Sequence, residues 1–180
     1  MVYVFLADGF EEIEALTPVD VLRRGGVEVV TVGVGKKLIT SSHKIPVTAD
    51  ITTDDIKNFN GVEAVVLPGG MPGTLNLEKC STVIDAVKYC VDNNILVGAI
   101  CAAPSILGHL GVLRGKKATA FPGFETELDG AELDSEYVSH DGMIVTARGM
   151  GVSTEFALKL LEILKGTECA KKIKDTIQCK

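Results

Sequence analysis

The sequence predicts an α/β domain built around a mostly parallel sheet, and three observations lead to this prediction. Short aliphatic runs alternate with segments of helical periodicity, which is the pattern of consecutive βαβ units. Apolar residues make up 46% of the chain, yet Trp is absent and aromatic residues reach only 5%. A core of Val, Ile, Leu and Ala suits strands that are buried on both faces. A length of 180 residues predicts one domain, spanning residues 1–180.

The elements follow from apolar runs, helical spacing and breakers. Strands are predicted at Val2–Leu6 and at residues 27–32, 62–67, 95–100, 117–120 and 143–147. Helices are predicted at Glu12–Arg24 and at residues 81–93, 102–110, 153–164 and 167–178. Pro18 is expected to kink the first helix or to mark a restart, and Ser81 is a candidate N-cap. Residues 36–53 alternate weakly, and we expect short strands and turns there.

Charge and composition exclude several function classes. The formal net charge is −6 and the basic residues are scattered, so we expect no nucleic-acid partner. No apolar run approaches the length of a membrane span, and the N-terminus lacks the features of a signal peptide, so we expect no membrane partner and a cytoplasmic location.

The cysteines and histidines show no metal-site pattern. The cysteine count is odd and no pair has CxxC spacing, so we expect free thiols and neither a metal nor a cofactor. The cysteines are Cys80, Cys90, Cys101, Cys169 and Cys179. The histidines, which lie apart in the sequence, are His43, His109 and His140.

Cys101 is the strongest candidate for chemistry, because it directly follows a predicted strand and directly precedes a predicted helix. That arrangement makes the nucleophile elbow of hydrolases, whose sharp turn needs small neighbours such as Ala99 and Ala103. A helix N-terminus favours the thiolate, so we expect Cys101 to be the most acidic of the five thiols. The alternative is a buried cysteine that acts as a small apolar side chain.

Two further features lie where strands end, at the edge where open α/β sheets bind ligands. Gly69 and Gly70 follow a predicted strand, and their backbone N–H groups could form an oxyanion hole, although such a pair is more often only a turn. Glu14 lies one turn into the first helix and could exchange a proton with substrate or thiol. Glu11 and Glu12 need no function, because acidic residues stabilise a helix N-terminus.

Taken together, these segments resemble the ThiJ/PfpI superfamily, in the branch that includes the parkinsonism-associated protein deglycases. The resemblance runs from Val2 to about Gly166. It rests on five motifs in order: ADGFEEIE at residues 7–14, PVDVLRR at 18–24, LPGG at 67–70, AICAAP at 99–104 and TARG at 146–149.

The resemblance implies a flavodoxin-like three-layer sandwich and a homodimer, with Arg24 near its interface. It makes Cys101 the nucleophile, Glu14 its hydrogen-bonding carboxyl group, and Gly69 and Gly70 the oxyanion hole. It also implies ready oxidation of the thiol to a sulfinic acid. Activities associated with relatives are glyoxalase without glutathione, deglycation of methylglyoxal adducts, and chaperone or oxidative-stress roles.

Two departures from the family pattern bear on function. Peptidase and amidase branches carry a histidine directly after the cysteine, where this chain has Ala102. Deglycase-type relatives carry a histidine before a proline near the cysteine, where Phe121 precedes Pro122. The leading hypothesis is an enzyme that converts small reactive carbonyls, such as methylglyoxal to lactate. The alternative is a redox sensor or chaperone whose output is oxidation of Cys101, and a cysteine hydrolase is the third reading.

Overall fold

The computed structural model describes residues 1–179, so the last position of the predicted domain, Lys180, lies outside the described residues. The strands are β1 (Val2–Leu6), β2 (Val29–Gly33), β3 (Leu38–Thr40), β4 (Pro46–Thr48), β5 (Ile51–Thr52), β6 (Ala64–Leu67), β7 (Leu96–Ile100), β8 (Lys117–Ala118), β9 (Glu132–Leu133), β10 (Val138–Asp141) and β11 (Ile144–Ala147). The helices are α1 (Glu12–Arg24), α2 (Gly73–Glu78), α3 (Ser81–Asp92), α4 (Pro104–His109), α5 (Ser153–Lys165) and α6 (Thr167–Thr176).

The central sheet confirms the predicted α/β architecture. Within residues 1–179 it has seven strands, in the order β10-β11-β7-β6-β1-β2-β5. Its pairs are parallel except for β10 with β11. The chain leaves β1 for β2 on one side and returns to β6 on the other. This reversal is the switch point at which open α/β sheets form a crevice.

Helices cover both faces of the sheet and make a three-layer sandwich. Side chains alternate along β1, because successive residues of a strand point to opposite faces. Val4 and Leu6 join one core with Phe156 of α5, whereas Phe5 joins the other with Ile106 of α4. The first core is covered by α1, α5 and α6, and the second by α2, α3 and α4.

Several boundaries differ from the prediction for local physical reasons. The helix predicted from residue 102 begins only at Pro104, since residues 101–103 form the turn in which Cys101 has a φ of 65°. α1 does not restart at Pro18 but runs through it. Ser81 is the first residue of α3 rather than its cap; Cys80 holds that position without a side-chain cap hydrogen bond.

The prediction missed α2, β9 and β10, which are short and carry little periodicity. The strand predicted at 117–120 shrinks to two residues and pairs with β9 in a separate small sheet. In the described part of the chain, every helix is too short or too polar to cross a membrane.

Candidate active site

Cys101 occupies the sharp turn between β7 and α4, as predicted. Its φ of 65° lies in the left-handed region, which costs a non-glycine residue about 1–2 kcal/mol. Two backbone hydrogen bonds hold it there. Its N–H donates to the Ala147 carbonyl at 2.8 Å, and its carbonyl accepts from the Phe121 N–H at 2.9 Å. The strained turn therefore fixes the direction of the thiol.

Glu14 lies under this turn and is 1% exposed. Its Oε2 accepts a hydrogen bond from the Gly69 N–H at 3.0 Å. The Met150 N–H and the Cys101 thiol are its other hydrogen-bond partners. α1 positions the side chain, since Glu11 caps the helix by accepting from the Glu14 N–H at 2.7 Å. The structure thus brings the two main predicted site residues into direct contact.

The predicted glycine pair lies beside the thiol, but its two members do different things. A Cβ on Gly69 would lie 2.6 Å from the Cys101 Cβ and 2.7 Å from Glu14 Oε2, so only glycine fits. Because the Gly69 N–H donates to Glu14, Gly69 does not act as the predicted oxyanion donor in this structure. Gly70 has a φ of 91°, and its N–H donates to the Cys101 sulfur together with that of Ala102.

Glu14 and Cys101 both hold their protons more strongly than usual. Burial raises the pKa of Glu14 to about 7, and the nearby Glu11 carboxylate adds to the effect. Burial also raises the pKa of Cys101 to about 12, reinforced by the charge of Glu14. At a pH between these two pKa values, the carboxyl and the thiol share a single proton.

This environment contradicts the prediction that Cys101 is the most acidic thiol. The prediction relied on a helix beginning directly after the cysteine, whereas α4 starts three residues later and has only six residues. The N–H groups of Gly70 and Ala102 favour the thiolate, but burial and the Glu14 charge outweigh them. A thiolate forms here without like-charge repulsion only when Glu14 takes the proton.

A cavity of about 490 Å³ is lined by Phe121 and Met150, whose backbone N–H groups contact the pair, but neither Cys101 nor Glu14 lines it. A Cβ on Gly149 would lie 3.2 Å from the Phe121 ring and 3.7 Å from Glu14 Oε1. The guanidinium of Arg148 lies 5.1 Å from the centre of the Tyr137 ring. Tyr137 was not predicted as a lining residue, because no motif surrounds it, and Met150 was not predicted although it directly follows the TARG motif.

Each histidine has partners away from the thiol. His109 lies between Glu78, at 2.5 Å, and Glu127, at 2.9 Å, so it ties α4 to two neighbouring segments. His140 lies 2.7 Å from the Gly142 carbonyl. His43 contacts Glu12, at 3.0 Å.

Comparisons with known proteins agree with this fold. The model of the DJ-1/PfpI family matches residues 1–163. The Parkinson disease protein 7 homolog of Danio rerio is 35% identical over 175 residues, covering 95% of this chain and 93% of that protein. The glutathione-independent glyoxalase DJR-1.2 of Caenorhabditis elegans is 32% identical over 160 residues, covering 88% and 84%.

A solved structure extends the likeness to three dimensions. Oxidized DJ-1 of Toxoplasma gondii superposes with a TM-score of 0.94 at 34% identity, covering 98% of this chain and 97% of that one. The resemblance drawn from the five sequence motifs is thereby confirmed. The chain belongs to the DJ-1/PfpI family.

Proposed function

We propose that the protein is a cysteine-dependent enzyme acting on small reactive carbonyls, with methylglyoxal as the model substrate and lactate as the product. The observation that carries the proposal is the buried carboxyl of Glu14, which shares a proton with the Cys101 thiol. A nucleophile and a proton carrier with a pKa of about 7 are the two groups this reaction needs. The similarity to the Caenorhabditis elegans protein named a glutathione-independent glyoxalase supports the proposal.

The first step forms a carbon–sulfur bond. Glu14 takes the thiol proton, and the Cys101 sulfur adds to the aldehyde carbon of methylglyoxal. Glu14 then passes that proton to the aldehyde oxygen as the hemithioacetal forms, and the carboxyl becomes ionised. The N–H groups of Gly70 and Ala102, which already face the sulfur, can stabilise negative charge that develops on this oxygen.

The second step moves hydrogen between two carbons. Ionised Glu14 removes the proton from the former aldehyde carbon, giving an enediol. It then delivers a proton to the neighbouring carbon, and the product is a lactoyl thioester of Cys101. Water hydrolyses this thioester, which releases lactate and restores the thiol. The reaction consumes one water and involves no net oxidation.

Turnover of methylglyoxal by the pure protein tests this assignment. Cys101→Ser should abolish lactate formation, because it removes the nucleophile. Glu14→Gln should lower kcat by about 10²–10⁴-fold, which is the usual contribution of a positioned acid–base group. The matched control is Cys80→Ser, which alters another half-buried thiol. Lactate formation that survives in Cys101→Ser would sink the proposal.

A redox sensor or chaperone is the second candidate, and Phe121 is the observation that favours this role. Phe121 stands where the resemblance implies a histidine, and within residues 1–179 the partners of the three histidines lie away from the thiol. A protonated Glu14 can donate a hydrogen bond to a sulfinate oxygen, so sulfinate should be the resting oxidised state. Glu14→Leu removes that donor and should let sulfonate accumulate. Intact-protein mass after graded peroxide measures this. An unchanged ratio of sulfinate to sulfonate would mean that Glu14 does not govern oxidation.

A peptidase or amidase role has the weakest support. Such an enzyme pairs its cysteine with a histidine base. Ala102 follows the cysteine, and the partners of the three histidines lie elsewhere in the described chain.

A further inference from the structure

A second cluster of charged side chains lies at the start of α1, outside the Cys101–Glu14 pair. Glu11 and Glu12 begin the helix, and His43 reaches them from the loop between β3 and β4. One ligand atom from each of the three side chains lies within 4.8 Å of the other two. His43 Nδ1 is 3.0 Å from Glu12 Oε1. The fold therefore joins residues that are 31 positions apart in the sequence.

Glu12 is the unusual member of this cluster. The residue is 7% exposed, and its Oε2 is buried without a hydrogen bond of good geometry from any residue in 1–179. Burial raises the pKa of Glu12, but its own backbone N–H, the His43 ring and the Ser41 hydroxyl outweigh burial and lower the pKa below its usual value. That hydroxyl also accepts a hydrogen bond from the Ile45 N–H, at 3.1 Å. A buried carboxylate with an unsatisfied oxygen is costly unless a positive charge faces it.

We propose that Glu11, Glu12 and His43 bind a divalent transition-metal ion, of which Zn²⁺ is the probe of choice. Two carboxylates and one imidazole suit this class of ion, whereas Ca²⁺ and Mg²⁺ take oxygen ligands alone. The proposal does not rest on the chemistry proposed for Cys101, although Glu11 touches both regions, since it also accepts a hydrogen bond from the Glu14 N–H.

The geometry leaves room for an ion after small side-chain rotations. Tetrahedral Zn²⁺ with bonds of about 2.1 Å separates its ligands by about 3.4 Å. The contact between His43 and Glu12 is already near that value. The His43 side chain is 70% exposed, and its Nδ1 also lies 3.3 Å from the Ser42 hydroxyl. Glu11 uses Oε2 to cap α1, which leaves Oε1 for the ion. Water would complete the coordination.

Direct binding of Zn²⁺ tests the site, and the full chain carrying Cys101→Ser is the starting protein, because the reactive thiol could itself bind the ion. Calorimetry should give one ion per chain. Removing an outer hydrogen-bond partner of a metal ligand costs about 10–100-fold in affinity, so His43→Gln and Glu12→Gln should each weaken binding at least that much. His140→Gln, which changes another exposed histidine, should leave affinity unchanged.

Two further measurements keep the result decisive. His43→Gln changes an exposed side chain and should keep the melting temperature of the parent, so weaker binding cannot be ascribed to unfolding. Co²⁺ in place of Zn²⁺ should give ligand-field bands without thiolate charge-transfer absorption. Absence of binding in the Cys101→Ser protein, binding that His43→Gln leaves intact, or a thiolate band would each overturn the proposal.

Discussion

At the scale of the residue, the pair of Glu14 and Cys101 decides what the thiol can do. Burial raises the pKa of both groups, and the charge of Glu14 raises the pKa of Cys101 further, whereas the hydrogen bond from the thiol lowers the pKa of Glu14. Below a pH of about 7 the pair holds two protons, and above it one proton remains. The reactive form, a thiolate beside a protonated carboxyl, belongs to the state with one proton.

The alkylation rate of Cys101 should therefore follow the titration of Glu14. With rising pH it should increase about tenfold per unit up to a pH of about 7 and then level off. Glu14→Gln removes this step and the like-charge repulsion, so a single transition should remain, set by a thiol pKa below about 12. Iodoacetamide labelling across a pH series, read by peptide mass spectrometry, measures both profiles.

Cys80 provides the internal control for this experiment, because its labelling is read from the same digests and it lies outside the pair. Its profile should not change with the Glu14 substitution. Identical Cys101 profiles in the wild type and in Glu14→Gln would show that the carboxyl does not control the thiol.

The sequence predicted correctly where Cys101 and Glu14 lie, but it did not predict how the Cys101 thiol ionises. Cys101 and Glu14 follow two strands of one sheet, so their meeting at its carboxyl edge was predictable. The acidity of the thiol was not predictable, because it depends on how deeply the thiol is buried and on the charge of Glu14 beside it. The contact of His43 with Glu12 was also not predictable, since the loop that carries His43 has no periodic pattern in the sequence.

At the scale of the element, the turn after β6 is as important as the elbow. Gly69 lets this turn pass close to the Cys101 Cβ while its N–H reaches Glu14. The strand-to-helix turns after β1, β6 and β7 therefore form one interlocked unit. A side chain at Gly69 would separate all three.

Gly69→Ala should lower the free energy of unfolding by about 1–3 kcal/mol, the usual cost of forcing atoms into a packed site. It should also reduce turnover of methylglyoxal, since the new Cβ would push Glu14 and Cys101 apart. Denaturant unfolding and lactate formation measure the two effects. Gly151→Ala is the matched control, because a Cβ there meets no described atom within 4 Å. Equal stability of the two variants would contradict the close packing described for Gly69.

Elements with strong patterns were predictable and weakly patterned ones were not. The five buried parallel strands β1, β2, β6, β7 and β11 are aliphatic runs, and α1, α3 and α5 have clear apolar faces. α2 follows the sequence GGMP and has only six residues, too few for a periodic signal. β10 carries His140 and Asp141 at an antiparallel edge, where half-exposed residues weaken the pattern.

At the scale of the whole molecule, the three layers bring the proposed catalytic residues and the proposed metal ligands to the same end of the sheet. Glu11, Glu12 and Glu14 share the first turn of α1. Their neighbour Ile13 is 46% exposed, although it is a large apolar side chain. Met150, whose N–H contacts Glu14, is also exposed. An apolar surface beside a functional crevice is typical of an interaction site.

We therefore expect a homodimer that shares the exposed face of α1. A two-fold interface places the same patch on both subunits, so one substitution acts twice. Ile13→Asp should bring two carboxylates into the contact and give a monomer at micromolar protein, as measured by light scattering. The melting temperature should fall as well, because association stabilises the folded chain. Leu38→Asp is the control, since it alters another exposed large apolar residue, on the β3–β4 hairpin. A wild-type protein with the mass of a monomer would contradict the dimer, and a dimer that survives Ile13→Asp would place its interface away from α1.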